Sequence, residues 1–333
     1  MPKRVLLTGA GGFFGSHLLR HLMVNTDWEF VCPCSWTHKG TPERLENAIA
    51  GMDKNRVTVI THDLTAPFTE HTKKRIGHID IILNIASNSH VHRSIEEPGE
   101  FILGNTALAY NMLEFAREIK PEVFLQFSTD EVYGDAPIGV DYEEWSCIRP
   151  SNPYSASKAC QEAIAFSYWR TYDVPVIITN TMNLFGETQD AEKYTARLIK
   201  QIYNGEQVTV HGAEGNIGSR YYLHARNGAD AVLFILKNVK PRLHKDGVDR
   251  PERFNIVGDV EVDNLALAQL VAKILGKDLN YVLEDYHATR PGHDRRYALD
   301  GGKLKELGWV APMEFEPSLA KSIEWTLNHP QWL

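Results

Sequence analysis

Tyr154 and Lys158 stand four residues apart in Tyr-Ser-Ala-Ser-Lys, a spacing that puts a phenol and an ammonium on one helix face, one turn apart. A neighbouring cation favours a phenolate, so Lys158 is predicted to lower the Tyr154 pKa and let the phenol act as a base near neutral pH. Such pairs also occur on ordinary surface helices, and this one gains weight from what precedes it. Ser128-Thr129-Asp130-Glu131-Val132-Tyr133-Gly134 sets two adjacent carboxylates at the end of an apolar run. One carboxyl can take a proton while the other protonates a departing hydroxyl, which together eliminate water. Adjacent acids are common on solvated faces; Thr129 and the Tyr/Lys pair argue for the chemical reading. The third constellation is Thr8-Gly9-Ala10-Gly11-Gly12-Phe13-Phe14-Gly15. Its glycines permit a tight turn and let backbone amides approach a pyrophosphate at a helix N-terminus.

These groups need elements to hold them. Short β-branched runs at 4–8, 29–34, 56–60, 79–85, 123–128 and 174–181 predict strands. Helical spacing separates them at 15–24, 101–119 and 153–172. Strands joined by helices require crossover connections, hence a parallel sheet covered on both faces. The fold class expected is therefore α/β, a Rossmann-type doubly wound parallel sheet with a smaller, interleaved C-terminal α/β substrate domain. Residues 1–181, joined by about 223–257, are assigned to the dinucleotide half, and 182–222 with 258–333 to the other. In the second half, 192–204 and 264–275 predict amphipathic helices, the latter capped by Asp263 and closed by Gly276. A last helix is expected to start at Pro317, turn Leu319, Ile323 and Leu327 inward and stop before Pro330. The polar stretch 237–253 is expected to be an exposed loop.

Around the glycine loop, Asp63-Leu64 after the third strand suits contact with an adenine ring, with a simple turn as the alternative. The second strand ends in Cys32-Pro33-Cys34-Ser35-Trp36 and lacks the acid that usually takes the ribose hydroxyls of NAD. Ser35, His38, Lys39 and Arg44 lie close behind, so a 2′-phosphate could be received there, and NAD versus NADP stays open.

Composition limits the classes of function. The 333 residues are 43% hydrophobic and 23% charged, as in ordinary globular proteins. A net charge of −8 argues against a nucleic-acid partner. Apolar stretches are too short to span a bilayer, and the first residues read as a strand, not a cleavable leader. Four cysteines without a disulfide pattern fit a reducing, cytoplasmic compartment. Among the 14 histidines, His90-Val-His92 has ligand-like spacing; no HExxH or Cys/His cluster accompanies it, and no metal site is expected.

On the glycine loop, Asn84-Ile85-Ala86-Ser87, Ser128 to Gly134 and Tyr154/Lys158, the chain resembles the extended short-chain dehydrogenase/reductase superfamily over nearly its whole length. The resemblance implies NAD in a site that includes Ala86 and Ser87, and a nucleotide-sugar substrate. Within that superfamily the Asp-Glu dipeptide separates 4,6-dehydratases from 4-epimerases, and the stretches 89–95 and 290–300 are similar to the dTDP-glucose 4,6-dehydratases. It further implies that Tyr154 takes the C4 hydroxyl proton, beside Thr129, while Lys158 holds the cofactor ribose. Glu131 would remove the C5 proton and Asp130 protonate the C6 hydroxyl. Arg220 and Arg290 would meet the diphosphate, and Asn183 and Asn255 the nucleotide-sugar, although both asparagines could equally cap local turns. Ser89, His90, His293 and Asp294 complete the implied substrate side. His92 stands where the family has an acid, Asn183-Leu-Phe-Gly-Glu187 replaces Asn-Asn-Tyr-Gly-Pro, and Ser219-Arg220-Tyr221-Tyr222 replaces an Arg-Asp-Trp stretch. The base and sugar therefore stay open, dTDP-glucose and UDP-glucose leading. A homodimer through 101–119 and 153–172 is also implied. The competing readings are a 4-epimerase or another nucleotide-sugar enzyme of the superfamily, and a non-catalytic NAD(P) sensor. Asp130-Glu131 speaks against the first, and the retained Tyr/Lys pair against the second.

Overall fold

The computed structural model describes residues 2–37, 39–213, 215–285 and 294–333. Its first half alternates β1 (Arg4–Leu7), α1 (Phe13–Asn25), β2 (Glu29–Cys34), α2 (Pro42–Ile49), β3 (Val57–Thr61), α3 (Glu70–Ile76) and β4 (Ile81–Asn84). Then come α4 (Val91–Glu96), α5 (Pro98–Ile119), β5 (Val123–Thr129), α6 (Pro153–Tyr172) and β6 (Val176–Thr181). The second half contains β7 (Asn183–Phe185), α7 (Tyr194–Tyr203), β8 (Val208–Ala213), β9 (Asn216–Ile217), β10 (Ser219–His224), α8 (Ala225–Asn238) and β11 (Glu252–Ile256). It ends with β12 (Glu261–Asp263), α9 (Asn264–Leu275), β13 (Tyr281–Glu284), β14 (Arg296–Tyr297), α10 (Gly302–Glu306) and α11 (Phe315–Asn328).

Seven strands form one parallel sheet in the order β11-β6-β5-β4-β1-β2-β3. The order reverses beside β1, which opens a crevice at the carboxyl ends of β1 and β4, where open α/β sheets take their ligands. Alternation along each strand feeds two cores. Val5 and Leu7 of β1 join Leu18 and Leu22 of α1 and Val232 of α8 on one face. On the other, Leu6 and Phe124 meet Met112 and Leu113 of α5 and Trp169 of α6. A separate core packs α7, α9 and α11 on β8 and β10 through Leu198, Leu267, Val271, Leu319 and Ile323. Among the described residues no helix is long and apolar enough to cross a membrane.

Helices α6 and α9 have the expected bounds; Asp263 accepts from the Ala266 amide at 2.7 Å, and Gly276 closes α9 at φ +63°. Two expectations need correction. The last helix begins at Phe315, ahead of Pro317, because a proline in the first turn removes an amide that has no intrahelical acceptor anyway, and Phe315 is buried. The stretch 237–253 is not an exposed loop throughout. It ends in β11, where Arg253 is 3% exposed and pairs with Glu162 of α6 at 2.6 Å.

Candidate functional site

The chain's glycines are required where β1 passes into α1. Gly9 has φ +72°, and a Cβ there would stand 3.0 Å from the Ala86 amide nitrogen. A Cβ on Gly15 would stand 2.0 Å from the Gly9 carbonyl oxygen. Gly12 caps α1 without a side-chain acceptor, so the first-turn amides are left for a ligand. The Thr8 hydroxyl accepts from the Ile85 and Ala86 amides at 2.8 and 2.9 Å and fixes the end of β4 beside the loop.

A cavity of about 560 Å³ opens above this turn. It is lined by Gly9, Gly11, Gly12, Phe13, Phe14, Gly15, Ser35, Asp63, Leu64, Ala86 and Ser87 on one side. Ser89, His90, Thr129, Asp130, Glu131, Tyr154, Lys158 and Asn183 line the other. Seven segments far apart in sequence thus converge on one crevice.

The two carboxylates follow β5 on a single helical turn and are held by its end. The Thr129 hydroxyl donates to Asp130 Oδ1 at 2.8 Å, and the Glu131 amide donates to the same oxygen at 3.0 Å. Burial pushes Asp130 up to about 6, against the Thr129 hydrogen bond and the Arg220 charge. Burial and then the Asp130 charge push Glu131 up to about 7, opposed by Lys193 and by Asn152, which donates to Oε2 at 3.4 Å. The Tyr297 hydroxyl reaches the same oxygen at 3.4 Å. Two carboxyls are therefore set to exchange protons near neutral pH.

Tyr154 enters from the first turn of α6. Asn152 caps that helix, its side chain accepting from the Ser155 amide at 2.9 Å. The phenol is hydrogen-bonded to Thr129 and lies among the carboxylates. Its pKa differs from the expectation: burial first, then the Glu131 and Asp130 charges, hold it above the ordinary phenol value. Lys158 does not offset them because its ammonium is turned to the Phe127 carbonyl at 2.7 Å and Gln161 Oε1 at 2.6 Å. Burial pulls Lys158 itself down to about 7, with Glu162 opposing.

Three implied substrate residues lie outside the cavity lining. Arg220 points back, donating to the Ser219 and Asp294 carbonyls at 2.7 and 2.9 Å and lying 4.2 Å from the Tyr297 ring centre. Asp294 accepts from Ser151 at 2.6 Å. Asn255 is fully buried, and its amide bridges the carbonyls of Tyr142 and Asp300 at 2.9 and 3.0 Å, a structural staple. Arg290 and His293 lie outside the described residues, as does His38. The groups expected to receive a 2′-phosphate are mostly engaged elsewhere. Lys39 pairs with Asp190 at 2.9 Å, Arg44 holds backbone carbonyls, and Ser35 remains, bonded to Thr37 at 2.7 Å. His90 caps α4 through Nδ1, and among the described residues no three His, Cys, Asp or Glu side chains are placed to hold a metal ion.

Sequence reasoning missed Lys193, Asn152 and Gln161. Lys193 lines the cavity and donates to the Ser89 carbonyl at 2.6 Å. Asn152 directly before Pro153 carried a readable helix-cap signal; Lys193, at a helix start of no special pattern, carried none.

Residues 5–256 match the model of the NAD dependent epimerase/dehydratase family. The chain is 33% identical to the dTDP-glucose 4,6-dehydratase of Salmonella typhimurium, over 99% of this chain and 94% of that one. It is 32% identical to the low-salt glycan biosynthesis protein Agl12 of Haloferax volcanii, over 97% and 98%. The structure is similar to that of a double mutant of DesIV, a dTDP-glucose 4,6-dehydratase from Streptomyces venezuelae with NAD bound, with TM-score 0.86, 28% identity and coverage of 99% and 98%.

Proposed function

Since the chain belongs to the NAD dependent epimerase/dehydratase family, we propose that it is a nucleotide-sugar 4,6-dehydratase, which turns an NDP-hexose into the NDP-4-keto-6-deoxyhexose, with dTDP-glucose or UDP-glucose as the first substrates to try. NAD fits the glycine-lined side of the cavity: a Cβ at Gly9 or Gly15 would close the turn, and the first amides of α1 lack side-chain acceptors. Bound there, it supplies a transient acceptor for a hydride from the sugar. Lys158 and the Ser87 segment are the groups that would hold its ribose end.

The observation that carries the reading is the Asp130–Glu131 pair, Asp130 buried and Glu131 half-buried, facing Tyr154 across the cavity. In its ionised form Tyr154, steadied by Thr129, receives the C4 hydroxyl proton as that carbon becomes a ketone. Protonation of Asp130 removes one of the two charges that hold the phenol up, so readiness of the acid also eases ionisation of Tyr154. The ketone acidifies C5–H, Glu131 removes that proton, and Asp130 gives its proton to the departing C6 hydroxyl. Water leaves. C6 then receives the hydride that left C4, C5 regains the proton from Glu131, and transfer of the proton from Tyr154 back to Asp130 resets both groups, so that the sum is loss of one water. An epimerase needs the phenol alone and has no work for two carboxyls.

The test is incubation of the purified protein with dTDP-glucose and UDP-glucose separately, with no added cofactor, following product mass. Loss of one water from either sugar is expected. A new stereoisomer at unchanged mass would replace this reading with a 4-epimerase; no reaction with either would move the substrate to another nucleotide sugar.

A further inference from the structure

Arg44, near the start of α2, is a buried cation with no carboxylate at ion-pair distance among the described residues. It is 3% exposed, and burial holds its pKa down, with the more distant Asp190 charge opposing. A buried guanidinium without a partner ion is costly, so what its donors hold is informative. They hold backbone carbonyls from three separate stretches. Nε and Nη2 both reach the Thr188 oxygen, at 3.2 and 3.1 Å. Nη1 reaches the Gly11 oxygen at 3.4 Å and also meets that of Lys39. The Trp332 ring covers the guanidinium, 5.1 Å from ring centre to Cζ.

Gly11 belongs to the turn proposed to hold the pyrophosphate. Thr188 belongs to the segment between β7 and α7, whose Gln189, Asp190, Glu192 and Lys193 line the same cavity. Thr188 sits at φ +63°, a conformation that a β-branched residue keeps only when its surroundings impose it. Two further contacts pin this segment to the dinucleotide half. His17 of α1 donates through Nε2 to the Glu187 carbonyl at 2.9 Å, and Lys39 reaches Asp190 at 2.9 Å and Glu192 at 3.6 Å.

We propose that Arg44 is a positioning residue that locks segment 187–193 against the glycine turn, so that a dinucleotide lying between them is retained from one turnover to the next. The inference rests on the reading of this cavity as a dinucleotide site. A planar fork is needed because three carbonyls arrive from different directions; a lysine ammonium keeps the charge but cannot span them. Retention suits a reaction in which the hydride leaves and returns to one sugar, because no second redox substrate ever has to reload the cofactor.

The experiment uses the protein as purified. It measures dinucleotide content after exhaustive gel filtration, the rate at which bound NAD exchanges with isotopically labelled NAD, the melting temperature in saturating NAD, and KM and kcat for the sugar that reacts. Arg44→Lys is expected to exchange about tenfold faster or more, with kcat of the loaded enzyme within about twofold and KM for the nucleotide sugar raised. Trp332→Ala, on a half-buried side chain and thus safe for folding, is expected to speed exchange by about threefold. Exchange at the wild-type rate in both variants, with only a lower melting temperature, would reduce Arg44 to a structural staple and overturn the inference. Wild-type protein that retains no dinucleotide would overturn the cavity reading and this inference together. Fast exchange in Arg44→Lys with neither sugar consumed would support the clamp and leave the proposed reaction to fall alone.

Discussion

At the scale of single residues, the carboxylate pair decides what the cavity can do. Asp130 near 6 and Glu131 near 7 share one proton across that interval, and the two steps belong to the pair. Elimination needs one carboxyl ionised and one protonated. Activity is therefore expected to rise as pH climbs through the first step and to fall as it passes the second, a bell centred between about 6 and 7 in kcat/KM. In this order Asp130 ionises before Glu131, so the arrangement with Asp130 as acid is the minor one, and the roles can be separated chemically. Asp130→Asn and Glu131→Gln should each lower kcat by about 10² to 10⁴. A substrate with fluoride at C6 needs little protonation of its leaving group and should restore Asp130→Asn, but not Glu131→Gln. Rescue of the glutamate variant instead would exchange the two roles. Asp130-Glu131, Tyr154/Lys158 and the glycine turn were legible because each is compact in sequence and depends only on one strand end or one helical turn. The direction of the Tyr154 shift was not, since it follows from burial and from carboxylates brought in by β5, while Lys158 faces Phe127. Lys193 was invisible for the same reason: its place beside Glu131 is made by the path of the chain between β7 and α7.

At the scale of elements, α6 is the beam on which the site is mounted. Its first turn presents Tyr154 and its second Lys158, and one turn further Glu162 anchors it to the sheet edge. Glu162 accepts from Arg253 of β11 at 2.6 Å and from Asn180 of β6 at 2.7 Å, with both ions of the pair buried. Removing one member strands the other, so Arg253→Met is expected to cost about 3–5 kcal/mol in denaturant unfolding. Arg253→Met combined with Glu162→Gln should recover much of that loss, and a double variant no better than the single one would deny the pair this role. Glu162→Gln alone also removes the charge that opposes the fall of Lys158, which should move the lysine pKa still lower. Apolar patterning revealed α6 and β1 to β6, the strands as short β-branched runs that face cores on both sides of one sheet. It failed over 237–253, where charged residues dominate. Arg253 reads as a surface residue until its partner, 91 positions earlier, is known.

At the scale of the whole molecule, the outward side of the α5 and α6 pair is unusually apolar for a face turned to solvent. Leu103 is 72% and Tyr110 49% exposed, seven residues apart and so on one side of α5. Beside them α6 shows Cys160, Ala163 and Ser167, small residues spaced three and four apart that permit close helix approach. Not every apolar residue of α6 contributes to this surface: Tyr168 turns inward and its hydroxyl bonds Glu114 of α5. A two-fold pairing of α5 and α6 with their copies would cover Leu103 and Tyr110 in a four-helix bundle, the arrangement that the family resemblance implies. Sedimentation at micromolar concentration should then give the mass of two chains for the native protein and of one for Leu103→Asp. Because association adds stability by mass action, the native melting temperature should climb with protein concentration and that of Leu103→Asp should not. A native protein that sediments as a single chain would rule the pairing out. The helix that carries the apolar face outward, α5, packs along α6, which carries Tyr154 and Lys158 inward, so dissociation should loosen the site before it unfolds the sheet, and loss of activity on dilution should precede loss of secondary structure.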